Sequence, residues 1–118
     1  MVEKLKQILA KLQSEKGLVT IFAILKMDDI TNRWSIILSA PWINDKNTTE
    51  VFSYVVETMK KTFTQEEANT IARIGIFSED NHLIEGLKRY SEGTIIKDEK
   101  INGNVIHEAQ ILAVNVEA

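Results

Sequence analysis

The sequence predicts an α+β protein, a single domain over residues 1–118 with one mixed β-sheet and helices packed on it, in the order α-β-β-α-β-α-β-β. Three observations predict it. Apolar residues recur every three or four positions in two long stretches, the mark of helices that bury one stripe. Between and after these lie short apolar or alternating runs, rich in branched side chains and of strand length. Near the end, Asn102-Gly103 joins two such runs with the strongest short-range signal for a tight hairpin. No repeat, low-complexity tract or Pro/Gly/Ser-rich linker divides the chain. At this length one core buries roughly two thirds of the unfolded surface, so no domain boundary is drawn.

The first helix covers about residues 2 to 16, where Val2, Leu5, Ile8, Leu9 and Leu12 form the stripe and Gly17 stands at the left-handed closing position. Leu18 to Met27 is too short for a covered helix and is apolar on both faces. That describes a strand in the middle of a sheet, between two helical layers or between a helical layer and a partner chain. Asp28 to Arg33 supplies a polar turn. Trp34 to Ala40 then alternates, with Trp34, Ile36, Leu38 and Ala40 on one face and Ser35, Ile37 and Ser39 on the other, and pairs antiparallel with the strand before it. Pro41 has no N–H for a ladder and stops this strand.

Asn47 and Glu50 have the spacing of a capping pair ahead of a helix over residues 48 to 62, whose stripe is Val51, Phe52, Val55, Val56 and Met59, with Phe63 following. Thr64-Gln65-Glu66-Glu67 is a capping box for one short helical turn. Ile71 to Phe77 then extends as a strand; the rival is helix through Ala72, against which stand the weak helix formers Thr70, Ile71, Ile74, Gly75, Ile76 and Phe77. Residues Ser78 to Asn81 cap another helix that turns Leu83, Ile84, Leu87 and Tyr90 inward and closes at Gly93. Strands over Thr94 to Ile101 and Asn104 to Val116 complete the sheet.

Charge and composition remove several functions. With 14 basic against 17 acidic residues the net charge is −3, so no positive field draws the domain to nucleic acid. The basic pairs Lys60-Lys61 and Lys88-Arg89 sit among acids and are read as solvated helix faces with no partner. The chain has no cysteine, which excludes disulfides, thiolate metal sites and cysteine nucleophiles and suits a reducing cytoplasm. The charged first turns are not those of a signal peptide, and the apolar run Val19 to Leu25 falls far short of the roughly 20 residues of a membrane helix. A soluble cytoplasmic protein with no membrane contact is expected.

A ligand site is expected at one edge. If the strands over 34–40 and 71–77 lie parallel, joined by a right-handed crossover through the helix over 48–62, their carboxyl ends open together. That edge collects Pro41, Trp42, Asn44 and Asp45 from one loop and Ser78, Glu79, Asp80, Asn81 and His82 from the other. Loops diverge there and helix amino-termini present N–H groups, which is why open α/β sheets bind ligands at this position. The candidate ligand-binding residues are Trp42, Asn44, Asp45, Ser78, Asn81 and His82; His82, Asp80 and Asp45 are the candidates for acid–base chemistry.

Each has an economical structural role as well. Trp42 covers a helix end, Asp45 and Asn47 make a turn and a cap, Asp80 and Asn81 cap the next helix, and His82 is an exposed residue of a first helical turn. Trp34 covers an apolar edge.

Other chemistries lack their parts. His107-Glu108 opens like a zinc-protease motif, but Ile111 stands where its second histidine belongs, and no metal site is expected. The five glycines, at 17, 75, 86, 93 and 103, are isolated, so there is no nucleotide loop or dinucleotide fingerprint. No Gly-x-Ser-x-Gly elbow occurs, and nothing supplies Ser39 with a base. No cofactor is expected.

The leading functional expectation is a non-catalytic module acting by protein association or small-ligand binding, as a homodimer whose interface covers the apolar surface of the first and last strands. The alternative is a small enzyme working at the edge formed by residues 41–45 and 78–82.

Overall fold

The computed structural model describes residues 2–26 and 33–115. In chain order the elements are α1 (Val2–Lys16), β1 (Ile21–Lys26), β2 (Trp34–Ser39), α2 (Thr48–Thr62), α3 (Gln65–Asn69), β3 (Ile71–Phe77), α4 (His82–Leu87), β4 (Ile95–Ile101) and β5 (Asn104–Val114). The fold is α+β, one mixed five-stranded sheet in the order β3-β2-β1-β5-β4. The expected turn over Asp28 to Arg33, apart from Arg33 itself, and the expected strand ends at Met27 and Val116 lie outside the described residues.

The sheet is mixed because β2 and β3, joined through α2 and α3, run parallel, whereas β1 is antiparallel to both its neighbours and β4 to β5. Asn102 and Gly103 both adopt positive φ, +46° and +87°, as the tight β4–β5 turn requires. β1 is the central strand, and its alternation feeds two cores. Phe22 and Ile24 join Leu5, Leu12, Leu38 and Val55 beneath α1 and α2. Ile21, Ala23 and Leu25 join Leu83, Ile84, Leu87 and Ile106 beneath α4 and the β4–β5 hairpin. The first strand is therefore covered on both faces within one chain, the first of the two arrangements its composition allowed.

Three local features differ from expectation. The Asn47–Glu50 capping pair does not form, because the Asn47 side chain is taken by its own loop: Oδ1 accepts from Asn44 N–H at 2.8 Å and Nδ2 donates to Trp42 O at 2.8 Å. The helix after β3 ends at Leu87, well before Gly93. There Arg89 N–H and Tyr90 N–H turn back to Gly86 O and Leu87 O in tighter bonds, and Gly93 N–H instead donates to Ile111 O, entering the β4 ladder. β1 begins at Ile21, and Leu18 is left 64% exposed.

The capping box at Thr64 forms with both of its reciprocal bonds, which sets α3 as a separate short helix and lets β3 start at Ile71. Glu67 of that box also accepts a bond from Lys4 Nζ of α1 at 2.5 Å. The Lys4 ammonium first, then the Thr64 backbone N–H, holds the Glu67 carboxyl at about 2, well below its ordinary 4.5. A depressed carboxylate stabilises the fold fully above its unfolded value and loses that contribution as pH falls through the folded one. The stability difference between wild type and Lys4→Met, measured by urea unfolding in low salt, is accordingly expected to be constant near neutrality and to vanish between about pH 4 and pH 2.

Candidate functional site

The parallel pairing of β2 with β3 sets Ser39 beside Phe77, so both strands end on the same edge. Because β1 and β5 run the other way, Ile21 lies beside Ser39 and Val114, and the same edge gathers the entry to β1 and the exit from β5. Five segments of chain meet there around a cleft of about 570 Å³. Leu18, Val19 and Thr20 line it from the approach to β1, Pro41 from the loop after β2, Glu79 and Asp80 from the loop after β3, Glu85 and Lys88 from α4 and the residue that caps its end, and Asn115 from the end of β5.

Thr20 organises the floor. Its N–H donates to Ser39 O and its carbonyl accepts from Asn115 N–H, so it bridges two strands while standing outside both. Its hydroxyl, on a residue only 3% exposed, donates to Glu79 Oε2 at 2.5 Å. On the opposite wall Lys88 Nζ donates to Glu79 O and to Glu85 Oε1, each at 3.0 Å. Asn115 Nδ2 donates to Val19 O at 2.7 Å, and Gln13 Oε1 of α1 accepts from Val19 N–H at 3.1 Å. The β1 approach is thereby tied to a helix as well as to the sheet. Three carboxylates and one ammonium give the cleft an acidic balance, beside apolar contact area from Leu18, Val19 and Pro41.

The expected edge thus exists, and three of its residues named from sequence, Pro41, Glu79 and Asp80, line the cleft. None of the six candidate ligand-binding residues lines it. Trp42 donates its indole N–H to Leu18 O at 3.0 Å, and its ring lies against Gly17, where an added Cβ would come within 3.4 Å of it. Asn44 Oδ1 accepts from the N–H groups of Lys46 and Asn47, closing the loop on itself, and Asp45 is exposed beside it. Ser78 donates to Asp80 Oδ1 at 2.6 Å. Asn81 Oδ1 accepts from Leu83 N–H at 2.9 Å and Ile84 N–H at 3.4 Å, the cap of α4. His82 is exposed, and its carbonyl accepts from Asn102 Nδ2 at 2.8 Å, which ties it to the β4–β5 turn.

Ser39 is fully buried, and its hydroxyl has no hydrogen-bond partner among the described residues. Trp34 packs half-buried against the larger core with Lys26 Nζ 4.7 Å from its ring centroid.

Sequence reasoning missed Thr20, Glu85, Lys88 and Asn115. One signal for Thr20 was available, a lone hydroxyl inside an otherwise apolar run. Glu85 and Lys88 carried another, the three-residue spacing of an acid and a base on one helix face. Lys88 corrects the view of Lys88-Arg89 as a solvated pair, since its side chain is only 20% exposed and holds α4 to the Glu79 backbone. Among the described residues no helix is long and apolar enough to cross a membrane. Comparison with protein-family models, with curated proteins and with solved structures finds no match to this chain.

Proposed function

We propose that the chain is a non-catalytic binding module, homodimeric and cytoplasmic, that holds a small ligand bearing an amino group in the cleft at the carboxyl edge of β2 and β3. The cleft itself carries this reading. Its volume of about 570 Å³ falls in the range of small-molecule sites, and it combines apolar walls with convergent polar groups. An ammonium suits it better than a phosphate or carboxylate does, because Lys88 pairs with Glu85 and the Glu79 and Asp80 carboxylates remain in excess. A non-catalytic role is our reading of what lines the cleft. No histidine is among its residues, and its one buried hydroxyl, on Thr20, donates to a carboxylate that also serves the fold. The absence of cysteine supports a reducing compartment.

The test is thermal unfolding against putrescine, agmatine and choline, with succinate and inorganic phosphate as counter-probes. The amines are expected to raise Tm, with stabilisation reaching about 2.7 kcal/mol at a hundredfold excess over Kd. The double variant Asp80→Asn/Glu85→Gln is expected to lose that response while remaining folded. A rise in Tm with the anions alone, or with none of the probes, overturns the ligand class. Turnover of any probe that disappears in His82→Ala replaces the module with the enzyme.

A further inference from the structure

We propose that the second copy docks on β3, edge to edge and antiparallel, so that two five-stranded sheets become one continuous sheet about a two-fold axis at Gly75. This rests on the homodimer reading above and names its interface.

The sheet has two outer strands, β3 and β4, and they are built in opposite ways. β4 carries four consecutive charges, Lys97, Asp98, Glu99 and Lys100, and Asp98 has a positive φ of +50°. Charges and a left-handed residue are how an edge is kept from pairing with another chain. β3 has no left-handed residue and little charge. Its sequence, Ile-Ala-Arg-Ile-Gly-Ile-Phe, holds one charge, Arg73, and its last four residues are only half-buried. Arg33 Nη2 donates to Ile71 O at 3.1 Å and occupies the start of the strand, which leaves residues 73–77 as the open stretch.

That stretch is complementary to itself. Antiparallel pairing about Gly75 sets Ile74 opposite Ile76 of the second copy on the α1–α2 side of the sheet. On the α4 side it sets Arg73 opposite Phe77 of the second copy, a guanidinium beside an aromatic ring, and does so twice by symmetry. The Arg73 side chain is exposed and makes no hydrogen bond or ion pair among the described residues, so it is not drawn away from such a partner. Glycine on the axis presents no side chain of its own to the α4 face where the two copies meet. A Cβ at Gly75 would also lie 2.6 Å from the Phe77 ring of its own chain, so the same glycine seats the aromatic group.

The arrangement also closes. The combined sheet ends in β4 at both margins, and both margins are charged, so association stops at two copies. A foreign strand would satisfy the backbone of β3 but would not need the Arg73–Gly75–Phe77 spacing.

Sedimentation velocity of the full chain over a concentration series is expected to show a monomer–dimer equilibrium. Arg73→Glu, at an exposed position, and Ile76→Lys, at a half-buried one opposite Ile74 of the second copy, are expected to weaken the dimer tenfold or more with unchanged far-ultraviolet circular dichroism. Lys97→Glu on β4 should leave the dimer constant as it is. A wild-type dimer that both β3 variants retain undiminished overturns the β3 interface and leaves the homodimer standing. A monomer at every concentration overturns both. If either variant unfolds, amide exchange in the wild type decides: protection of residues 73–77 that rises with concentration supports the pairing, and protection independent of concentration overturns it.

Discussion

Phe22→Ala is expected to lower the free energy of unfolding by about 3–5 kcal/mol, a large share of the 5–15 kcal/mol that a domain of this kind possesses. Phe22 is fully buried and heads the fully buried side chains by volume. It sits in the central strand, under α1 and α2, in one cluster with Leu12, Leu38 and Val55. Removing the ring loses its transfer free energy and leaves a cavity that a close-packed interior fills only in part. β1 is hydrogen-bonded on both sides, to β2 and β5, so the backbone has little freedom to collapse into the space. Urea unfolding monitored by circular dichroism measures the loss as a fall in midpoint at constant slope. A loss under about 1 kcal/mol would mean that the space refills, with α1 and α2 free to settle onto the sheet.

The same strand shows why so much of this fold was legible. Alternation along residues 21–25 sends side chains to two cores, and a run apolar on both faces has no stable place except the middle of a covered sheet. The parallel β2–β3 pair was legible for a related reason, since a strand, a helix and a strand in succession form a crossover more readily than any other arrangement. What sequence does not carry is the position of β5. Its pairing with β1, over a separation of some ninety residues, brings Asn115 to the cleft and sets β4 at the margin. Nothing local announces either.

The departures have local causes. Asn47 meets every rule for a cap, yet a second asparagine three residues earlier offers its side chain a better-placed N–H, and the loop wins. For α4, Tyr90 occurs at helical spacing, but its hydroxyl bonds Glu99 at 2.8 Å on β4, which pulls it away from the helical path. The apolar surface that first suggested a partner was that of the first and last strands; β1 and most of β5 are spent inside the chain, and Val105 of β5 stays exposed. The case for a second copy passes to β3, whose open side only the strand order reveals.

Gly86→Ala is expected to cost about 2 kcal/mol, although the same change in an exposed helix interior stabilises by about 1 kcal/mol. The sign reverses because α4 packs under the β4–β5 hairpin at this residue. A Cβ at Gly86 would stand 2.3 Å from Ile101 Cγ2 and 3.3 Å from Asn102 Cγ, and Ile101 is itself only 4% exposed, with nowhere to move. Relief has to come from sliding α4 outward, against the bond from Asn102 Nδ2 to His82 O. A second substitution identifies the cause. Ile101→Ala removes the offending Cγ2 and alone costs about 2–5 kcal/mol for the cavity it leaves, but in the double variant the new Cβ occupies part of that cavity. The two changes should then fall short of additivity by 1 kcal/mol or more, whereas independent sites add to within about 0.5 kcal/mol. The cleft reports the same strain. Glu85 lies on α4 and Lys88 caps its end, so Gly86→Ala should weaken amine binding more than its modest loss of stability explains, and Ile101→Ala in the same chain should restore part of it. Additive stabilities, or an amine response untouched by Gly86→Ala, would show that α4 does not transmit the position of the hairpin to the cleft wall.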